Sequence, residues 1–186
     1  SLIADMDSQE LLAAAEQLDA DELAGLAPDL PKDVLQDLMD SLDAQNRERL
    51  QSTLSYPEDA VGAHMDFDIV TIREDITLEV ALRYLRRLGS LPELTDKLFV
   101  VDRNDILQGV LPLKRMVVSD LEANVVDVMA ADSVKFHPQD IIDEAAQAFE
   151  RYDLVTAPVV DANNKLVGRI TVDAVMDFIR DESESD

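Results

Sequence analysis

Acidic side chains are concentrated near the end of this 186-residue chain. Asp173, Asp177 and Asp181 are spaced four residues apart, so in a helix they lie along one face. Like charges at that spacing repel by roughly 0.2–0.5 kcal/mol per pair, and four of the last six residues are acidic as well. Hard divalent cations prefer oxygen ligands. The pattern therefore indicates either a solvated acidic face or a site for such a cation.

The composition excludes several classes of partner. Forty acidic against sixteen basic residues give a formal charge of −24, which repels nucleic acid and anionic membrane surfaces. A salt-rich habitat is the alternative source of such a charge. The chain has no cysteine, hence no disulfide and no thiolate zinc site. Without a signal peptide or an apolar run of about 18 residues, it is predicted to be a soluble cytoplasmic piece, with ends compatible with cuts in a longer protein.

Catalytic motifs are missing from the sequence. The glycines are too scattered for a phosphate or dinucleotide loop, and no serine nucleophile elbow is present. His64 and His137 are isolated, so each is predicted to serve ordinary surface or packing roles. The sequence therefore predicts a protein that is not an enzyme.

Residues 8–55 read as short helices that must pack on one another. SQELLAAAEQL begins with a capping Ser8, and two acidic helices, about 32–42 and 44–54, follow Pro31 and Asp43. Their leucines form narrow apolar stripes, and short helices of that kind are stable only when packed. The segment SYPEDAVG at 55–62 is predicted to be the exit from this helical array.

From residue 61 onward the chain repeats itself. Residues 61–87 match 125–151 at an offset of 64, and residues 100–117 match 159–176 at an offset of 59. The apolar positions on the helix of the first copy recur on that of the second. Each copy is therefore predicted to run extended segment, helix, strand, turn, strand, helix.

The turns and strands of the two copies are alike as well. DRNDILQG and DANNKLVG are rich in Asp and Asn, which tolerate left-handed turn conformations. The strands LFVV and APVV are apolar throughout, so both of their faces should be covered. We expect the two copies to bury these faces against each other.

The repeat resembles a tandem of cystathionine-β-synthase (CBS) domains, in which VVD, a turn, an L-x-G strand and a T-V-D-type helix start recur. With SYPEDAVG, Met65 and TVDAVMDFIRDE in this order, the whole chain is similar to the cytosolic part of the MgtE magnesium transporters. The resemblance implies a fold of mixed α and α/β class, a small helical array followed by a CBS pair. The implied boundaries are 1–57 for the helical domain, 61–121 and 122–180 for the CBS domains, and 181–186 for the start of an acidic connecting helix.

The resemblance implies a regulatory role. Members of that family are homodimeric magnesium channels whose cytosolic domains sense Mg²⁺ and gate a membrane pore. This chain would be such a sensor, dimeric through its CBS domains, at the cytoplasmic face of a membrane, with the transmembrane domain outside the chain. Closure of its acidic interfaces by Mg²⁺ would act as a population shift toward the closed state. Ca²⁺ and Mn²⁺ accept the same carboxylate ligands, so the ion stays open.

The resemblance also suggests which carboxylates bind the ion. Asp153 in YDL and Asp177 in MDF would form a pair within the second CBS domain, and Asp143 would face Glu182 and Asp186. Asp173, on the same helix face as Asp177, completes the set.

Some positions depart from the family pattern. Ala174 stands where the family has a second Asp after TVD, and Ser185 replaces an acid. Acids of the helical domain, such as Asp19, Asp21 and Glu22, are further candidates that would face the CBS pair.

Nucleotide binding is the alternative function. CBS pairs that bind ATP or AMP resemble Gly-h-h-Thr/Ser-x-x-Asp, where the hydroxyl and Asp hold phosphate and ribose. GVLPLKR has Pro112 and Arg115 at those positions, whereas GRITVDA keeps Thr171, with Asp173 as a substitute acid. Thr171 could equally cap the last helix. A stand-alone nucleotide sensor and a purely structural acidic scaffold are therefore the alternatives to a Mg²⁺ sensor.

Overall fold

The computed structural model describes residues 24–25, 27–41 and 43–184. In its first part a 3₁₀ turn at Ala27–Asp29 precedes two helices, α1 at Lys32–Ser41 and α2 at Ala44–Leu54. The predictions of about 32–42 and 44–54 are confirmed. The predicted helix that starts at Ser8 lies outside the described residues.

Local chemistry explains where α2 begins. Asp43 has extended backbone angles, and its carboxylate accepts the N–H of Asn46 at 2.8 Å, which satisfies one of the free donors of the first turn. Leu38 of α1 and Leu50 of α2 are buried against each other in a small apolar cluster. The two helices are thus held by side-chain packing, as expected for elements this short.

The first CBS unit contains a three-stranded sheet and two helices. Strand β1 runs parallel to β2, and β2 runs antiparallel to β3. The elements are β1 at Thr71–Arg73, α3 at Leu78–Leu88, β2 at Lys97–Val101, β3 at Leu107–Pro112 and α4 at Leu113–Val118.

The second unit repeats this order around the antiparallel hairpin of β4 and β5. Its last helix continues without a break to the end of the described chain, so residues 181–184 extend that helix. Among the described residues no helix is both long and apolar enough to cross a membrane. The elements are α5 at Val125–Val128, α6 at Ile142–Tyr152, β4 at Thr156–Val160, β5 at Leu166–Thr171 and α7 at Val172–Glu184.

Two prolines reduce the counterpart of β1 in the second unit to a single bridge. In the first unit the N–H of Glu74 donates to the carbonyl of Val101, and that of Phe99 donates to the carbonyl of Val70, both at 3.1 Å. Pro138 and Pro158 occupy the matching positions and have no N–H, so only a single parallel bridge, at Phe136, remains. Nδ1 of His137 lies 3.1 Å from the carbonyl oxygen of Val160 and replaces the donor lost at Pro138. His137 therefore has the ordinary structural role that the sequence predicts.

The two hairpin turns have the same geometry. Asp102 accepts the N–H of Asn104 at 2.8 Å, and Asp161 accepts that of Asn163 at 2.9 Å. The next residue of each turn is left-handed, Asp105 with φ 63° and Asn164 with φ 64°. The Asp- and Asn-rich sequences thus act through side-chain acceptors and tolerance of positive φ.

In each unit, the extended segment that precedes the first-strand position, which we call the lead segment, pairs with the hairpin of the other unit. Asp66, which precedes β1, forms an antiparallel bridge with Arg169 of β5, and Ala130 of the second unit pairs in the same way with Val110 of β3. Between them lies one apolar cluster of β2, β3, β4 and β5 side chains. The expected burial of the strand faces between the two copies is therefore observed.

The exit from the helical array is bonded to the second unit. The N–H of Val61 donates to Asp140 O and that of Gly62 to Pro138 O, both at 2.8 Å. In return the N–H of Ile142 donates to Asp59 O at 2.9 Å. The helical array thus meets the CBS pair through the unit that carries the acidic helix.

Candidate functional site

Asp153 ends helix α6 in a conformation that is unusual for a residue with a side chain. Its φ and ψ are 52° and 46°, in the left-handed region, and its N–H donates to Phe149 O. Leu154 N–H donates to the same carbonyl at 2.9 Å. Aspartate tolerates this conformation better than most residues but less well than glycine. The side chain is exposed.

The first unit has a glycine at the position that matches Asp153. Its helix α3 ends at Gly89, which also has a positive φ, of 79°. Glycine has no Cβ and adopts such angles at little cost. A carboxylate is therefore not needed to end the helix, and the second unit holds Asp153 at a place where the backbone favours glycine.

Asp177 lies in the middle of α7 and is exposed. Its carboxylate forms an ion pair with Arg180 one turn later, at 3.4 Å, with 66% of the Asp177 side chain accessible. Exposed pairs of this kind contribute little to stability. The carboxylate of Asp177 is therefore open to exchange its arginine for a metal ion.

The hairpin determines which ends of α6 and α7 meet. Helix α6 finishes just before β4, and α7 starts just after β5, while Thr156 pairs with Thr171 and Val172 N–H donates to Val155 O at 2.8 Å. Because both helices join the same edge of the hairpin, Asp153 lies at the end where α7 begins.

The same argument locates the second proposed group of acids. Asp143 is in the first turn of α6, at the opposite end of that helix from Asp153. Glu182, exposed in the last turns of α7, is far along that helix from its start. Since α6 and α7 pack on each other, both acids lie away from the end where the two helices join the hairpin. Asp186 lies outside the described residues.

The described residues contain no preformed cluster of metal ligands. Across residues 24–25, 27–41 and 43–184, no three or more His, Cys, Asp or Glu side chains come together in a way that could hold a metal ion. Mg²⁺ commonly keeps several waters and uses one or two carboxylates. An ion held by the predicted pair of Asp153 and Asp177 would therefore have to complete its coordination with water.

Thr171 and Asp173 have structural roles at the start of α7. The hydroxyl of Thr171 accepts the N–H of Ala174 at 3.3 Å, the capping role that the sequence left open. Asp173 is in the first turn, where the helix dipole favours an acid. In the first unit Pro112 provides no side-chain cap, and Arg115 donates to Val128 O at 2.9 Å.

Sequence reasoning missed a buried ion pair between the units. Arg169 is only 6% exposed, and its Nε donates to the carboxylate of Asp66 at 2.9 Å while Nη2 donates to Glu93 O at 2.8 Å. The available signal was a charge inside the otherwise apolar strand LVGRIT, at the position of Val110 in the first copy.

Comparison with known families covers nearly the whole chain. The MgtE intracellular N domain family matches residues 1–59, and the CBS domain family matches residues 61–120 and 125–181. The magnesium transporter MgtE of Thermus thermophilus is 35% identical over 151 residues, which are 81% of this chain and 34% of that protein. The chain thus spans about a third of the length of that relative.

Two solved structures share the arrangement. One is the cytosolic domain of the Mg²⁺ channel MgtE in complex with ATP, with a TM-score of 0.80 and 31% identity over 93% of this chain and 76% of that one. The other is the soluble part of a magnesium transporter, with a TM-score of 0.88 and 26% identity over 97% of this chain and 70% of that one. The helical array and the paired units occur together in the same order in these relatives.

Proposed function

Since the chain belongs to the MgtE family, with the N domain and CBS pair of its cytosolic region, we propose that it senses Mg²⁺ and regulates a magnesium pore outside this chain. The ion acts by drawing together acidic surfaces on the second CBS unit and the helix that leaves it. Asp153 and Asp177 form the first site, and Asp143, with Glu182 and Asp186, forms the second.

One observation carries the proposal. The second unit ends α6 on Asp153, at a left-handed position where the first unit has Gly89. A residue that the backbone disfavours, with an exposed carboxylate beside the start of an acidic helix, supports a role in binding rather than in folding.

Repulsion among the acids of α7 and α6 would separate the acidic surfaces when no cation is bound. This helix carries five acids and one base, Arg180, and it packs on α6, whose first turn is acidic too. Without a cation these charges repel, and with Mg²⁺ their repulsion is neutralised. The ion shifts the population toward the closed state only by its preference for that state.

We further propose that the chain forms a homodimer through its CBS helices, at the cytoplasmic face of a membrane. Large apolar side chains are exposed there. Val117 and Val118 at the end of α4 are 82% and 83% accessible, and Tyr84 and Leu88 of α3 are 43% accessible each. Tyr152 and Met176 on the helices of the second unit are 55% and 51% accessible as well, so both units offer apolar helix surface that a second chain could cover.

Calorimetric titration with Mg²⁺ tests the site. The wild-type chain should bind millimolar Mg²⁺, and Asp153→Ala and Asp177→Ala should each weaken binding, because a carboxylate ligand is lost. Asp127→Asn, which removes an exposed acid of α5, is the matched control and should bind like the wild type. Equal binding by all four proteins contradicts the assignment of these residues.

A nucleotide is the second candidate ligand, favoured by the ATP complex of the related cytosolic domain. Thermal unfolding with ATP, AMP, Mg²⁺, Ca²⁺ and Mn²⁺ added separately distinguishes these ligands, because only a ligand of the folded state raises the melting temperature. We expect Mg²⁺ to raise it more than either nucleotide does. A rise with ATP or AMP alone, lost in Thr171→Ala or Asp173→Ala, would instead favour a nucleotide sensor.

A further inference from the structure

A cleft lies where the helical array meets the second CBS unit, away from the acidic face of α7. Its volume is about 590 Å³, within the range of pockets that hold small organic ligands. One wall is α2, which contributes Glu48 and Arg49, and the other is the β4–β5 turn, which contributes Asp161 and Lys165. We call this space the joint cleft.

Arg49 is the main polar feature of the joint cleft. Its guanidinium carbon lies 5.5 Å from the centre of the Phe67 ring, so the aromatic face holds the side chain in place. Arg49 is half-buried, and within the described part of the chain its guanidinium forms no hydrogen bond or ion pair. A planar fork of five N–H donors is thus presented without a protein acceptor.

The charges around Arg49 favour a phosphate group. The ammonium of Lys165 also has no acceptor among the residues described here. The carboxylate of Asp161 already accepts the backbone N–H groups of Asn163 and Lys165, and Glu48 is exposed at the rim. Two cations without partners match a phosphate dianion better than a single carboxylate, because the guanidinium alone satisfies the latter.

The rest of the joint cleft is suited to a flat organic body. The Tyr56 ring lines the cleft and rests against Gly62, where a Cβ would lie 2.5 Å from the ring. Met65 and Phe67 provide further apolar surface. Aromatic and thioether groups at fixed positions favour contact with a planar ring of the ligand.

We propose that the joint cleft binds a small organic phosphate with a flat body, held at its phosphate by Arg49 and Lys165. A ligand there contacts α2 and the β4–β5 turn together, so it fastens the helical array to the second CBS unit. The site is separate from Thr171 and from the carboxylates of α6 and α7, and its occupancy does not depend on the Mg²⁺ proposal.

Calorimetry in metal-free buffer tests the proposal with 1-naphthyl phosphate as the probe. The 186-residue chain should bind it, and Arg49→Met should bind about ten-fold or more weakly, because a charge-assisted fork is lost while the apolar stem stays. Lys165→Met, at an exposed turn, should weaken binding without affecting folding. Arg103→Met, which removes a charge from the corresponding turn of the first unit, should bind like the wild type.

Each other result overturns the proposal. Absence of binding to the wild type, or wild-type affinity in both Arg49→Met and Lys165→Met, removes the joint cleft as the site. Loss of binding in Thr171→Ala with retention in Arg49→Met would move the ligand to the CBS hairpin. Inorganic phosphate, which lacks the flat body, should bind more weakly than the probe, and equal affinity would contradict the role of the aromatic surface.

Discussion

The two CBS units share one scaffold but differ in charge where their last helices leave the sheet. Helix α4 of the first unit has six residues, with two bases and no acid, whereas α7 of the second has thirteen, with five acids. The preceding helices differ in the same sense, since α3 ends on Gly89 and α6 on Asp153. At these two helix ends the duplicated backbone carries acids on the second copy only, and it is there that we propose the cation site.

The two units also differ in the residues through which their hairpins pair with the lead segment of the other unit. In the first unit Val110 pairs with Ala130, and in the second Arg169 pairs with Asp66 through both backbone and side chain. The pairing of Val110 with Ala130 shows that this position of the fold can be occupied by two apolar residues. The buried ion pair of the second unit is therefore an addition whose energetic value can be measured against the first unit.

Replacing Arg169 by the residue of the first unit should have the largest effect. Arg169→Val leaves Asp66 partly buried and unpaired and Glu93 O without its donor, so the free energy of unfolding should fall by about 3 kcal/mol. Urea unfolding of the 186-residue chain measures this change.

The double variant Asp66→Ala, Arg169→Val reproduces the Ala130–Val110 pairing in the second unit. It should recover a large part of the stability that Arg169→Val loses, because no unpaired charge remains. If the two substitutions destabilise additively, the apolar pairing is not an adequate substitute, and the equivalence of the two units at this point is wrong.

Replacing the glycine of each L-x-G strand by alanine should destabilise the two units unequally. A Cβ at Gly109 would lie 2.5 Å from the backbone oxygen of Ala130, whereas one at Gly168 would lie 3.0 Å from Asp66 O and 3.3 Å from the flexible Met65 side chain. Gly109→Ala should therefore cost about 2–3 kcal/mol and Gly168→Ala about 1 kcal/mol. A larger loss for Gly168→Ala in the same urea experiment would reverse the comparison.

Substitutions at the N-terminal caps of α7 and α4 should change the free energy of unfolding by smaller amounts. Thr171→Ala removes the cap of α7 and should reduce the free energy of unfolding by about 1 kcal/mol. Pro112→Thr supplies a cap to α4 but loses the constraint of proline on the unfolded chain, so its change should stay below about 0.5 kcal/mol. Thermal unfolding of both variants beside the wild type checks the order, and an equal change in both would show that Thr171 does not act as a cap.

The repeat made much of this fold predictable. Because the two copies align at fixed offsets, helix and strand positions in one copy supported those in the other, and Asp and Asn in DRNDILQG and DANNKLVG indicated their left-handed turns. Thr171 was recognised as a cap candidate because residue type and position suffice for that prediction.

The rest depends on contacts between distant segments. Asp66 and Arg169 are 103 residues apart, and the charge inside LVGRIT indicates that Arg169 needs an acceptor but not which residue supplies it. The second unit lacks a full first strand because Pro138 and Pro158 have no N–H, and predicting this required knowing that the sheet of the first unit uses the N–H groups at those two positions. The joint cleft is formed by α2 and a turn more than a hundred residues later, so its arginine could not be assigned to a site from sequence.

The substitution Asp153→Gly tests the central claim most directly, because it gives the second unit the helix end of the first. Glycine relieves the left-handed strain, so without metal the variant should unfold at the same temperature as the wild type or a higher one. Millimolar Mg²⁺ should raise the melting temperature of the wild type and raise that of Asp153→Gly much less. An equal rise in both proteins would contradict the account.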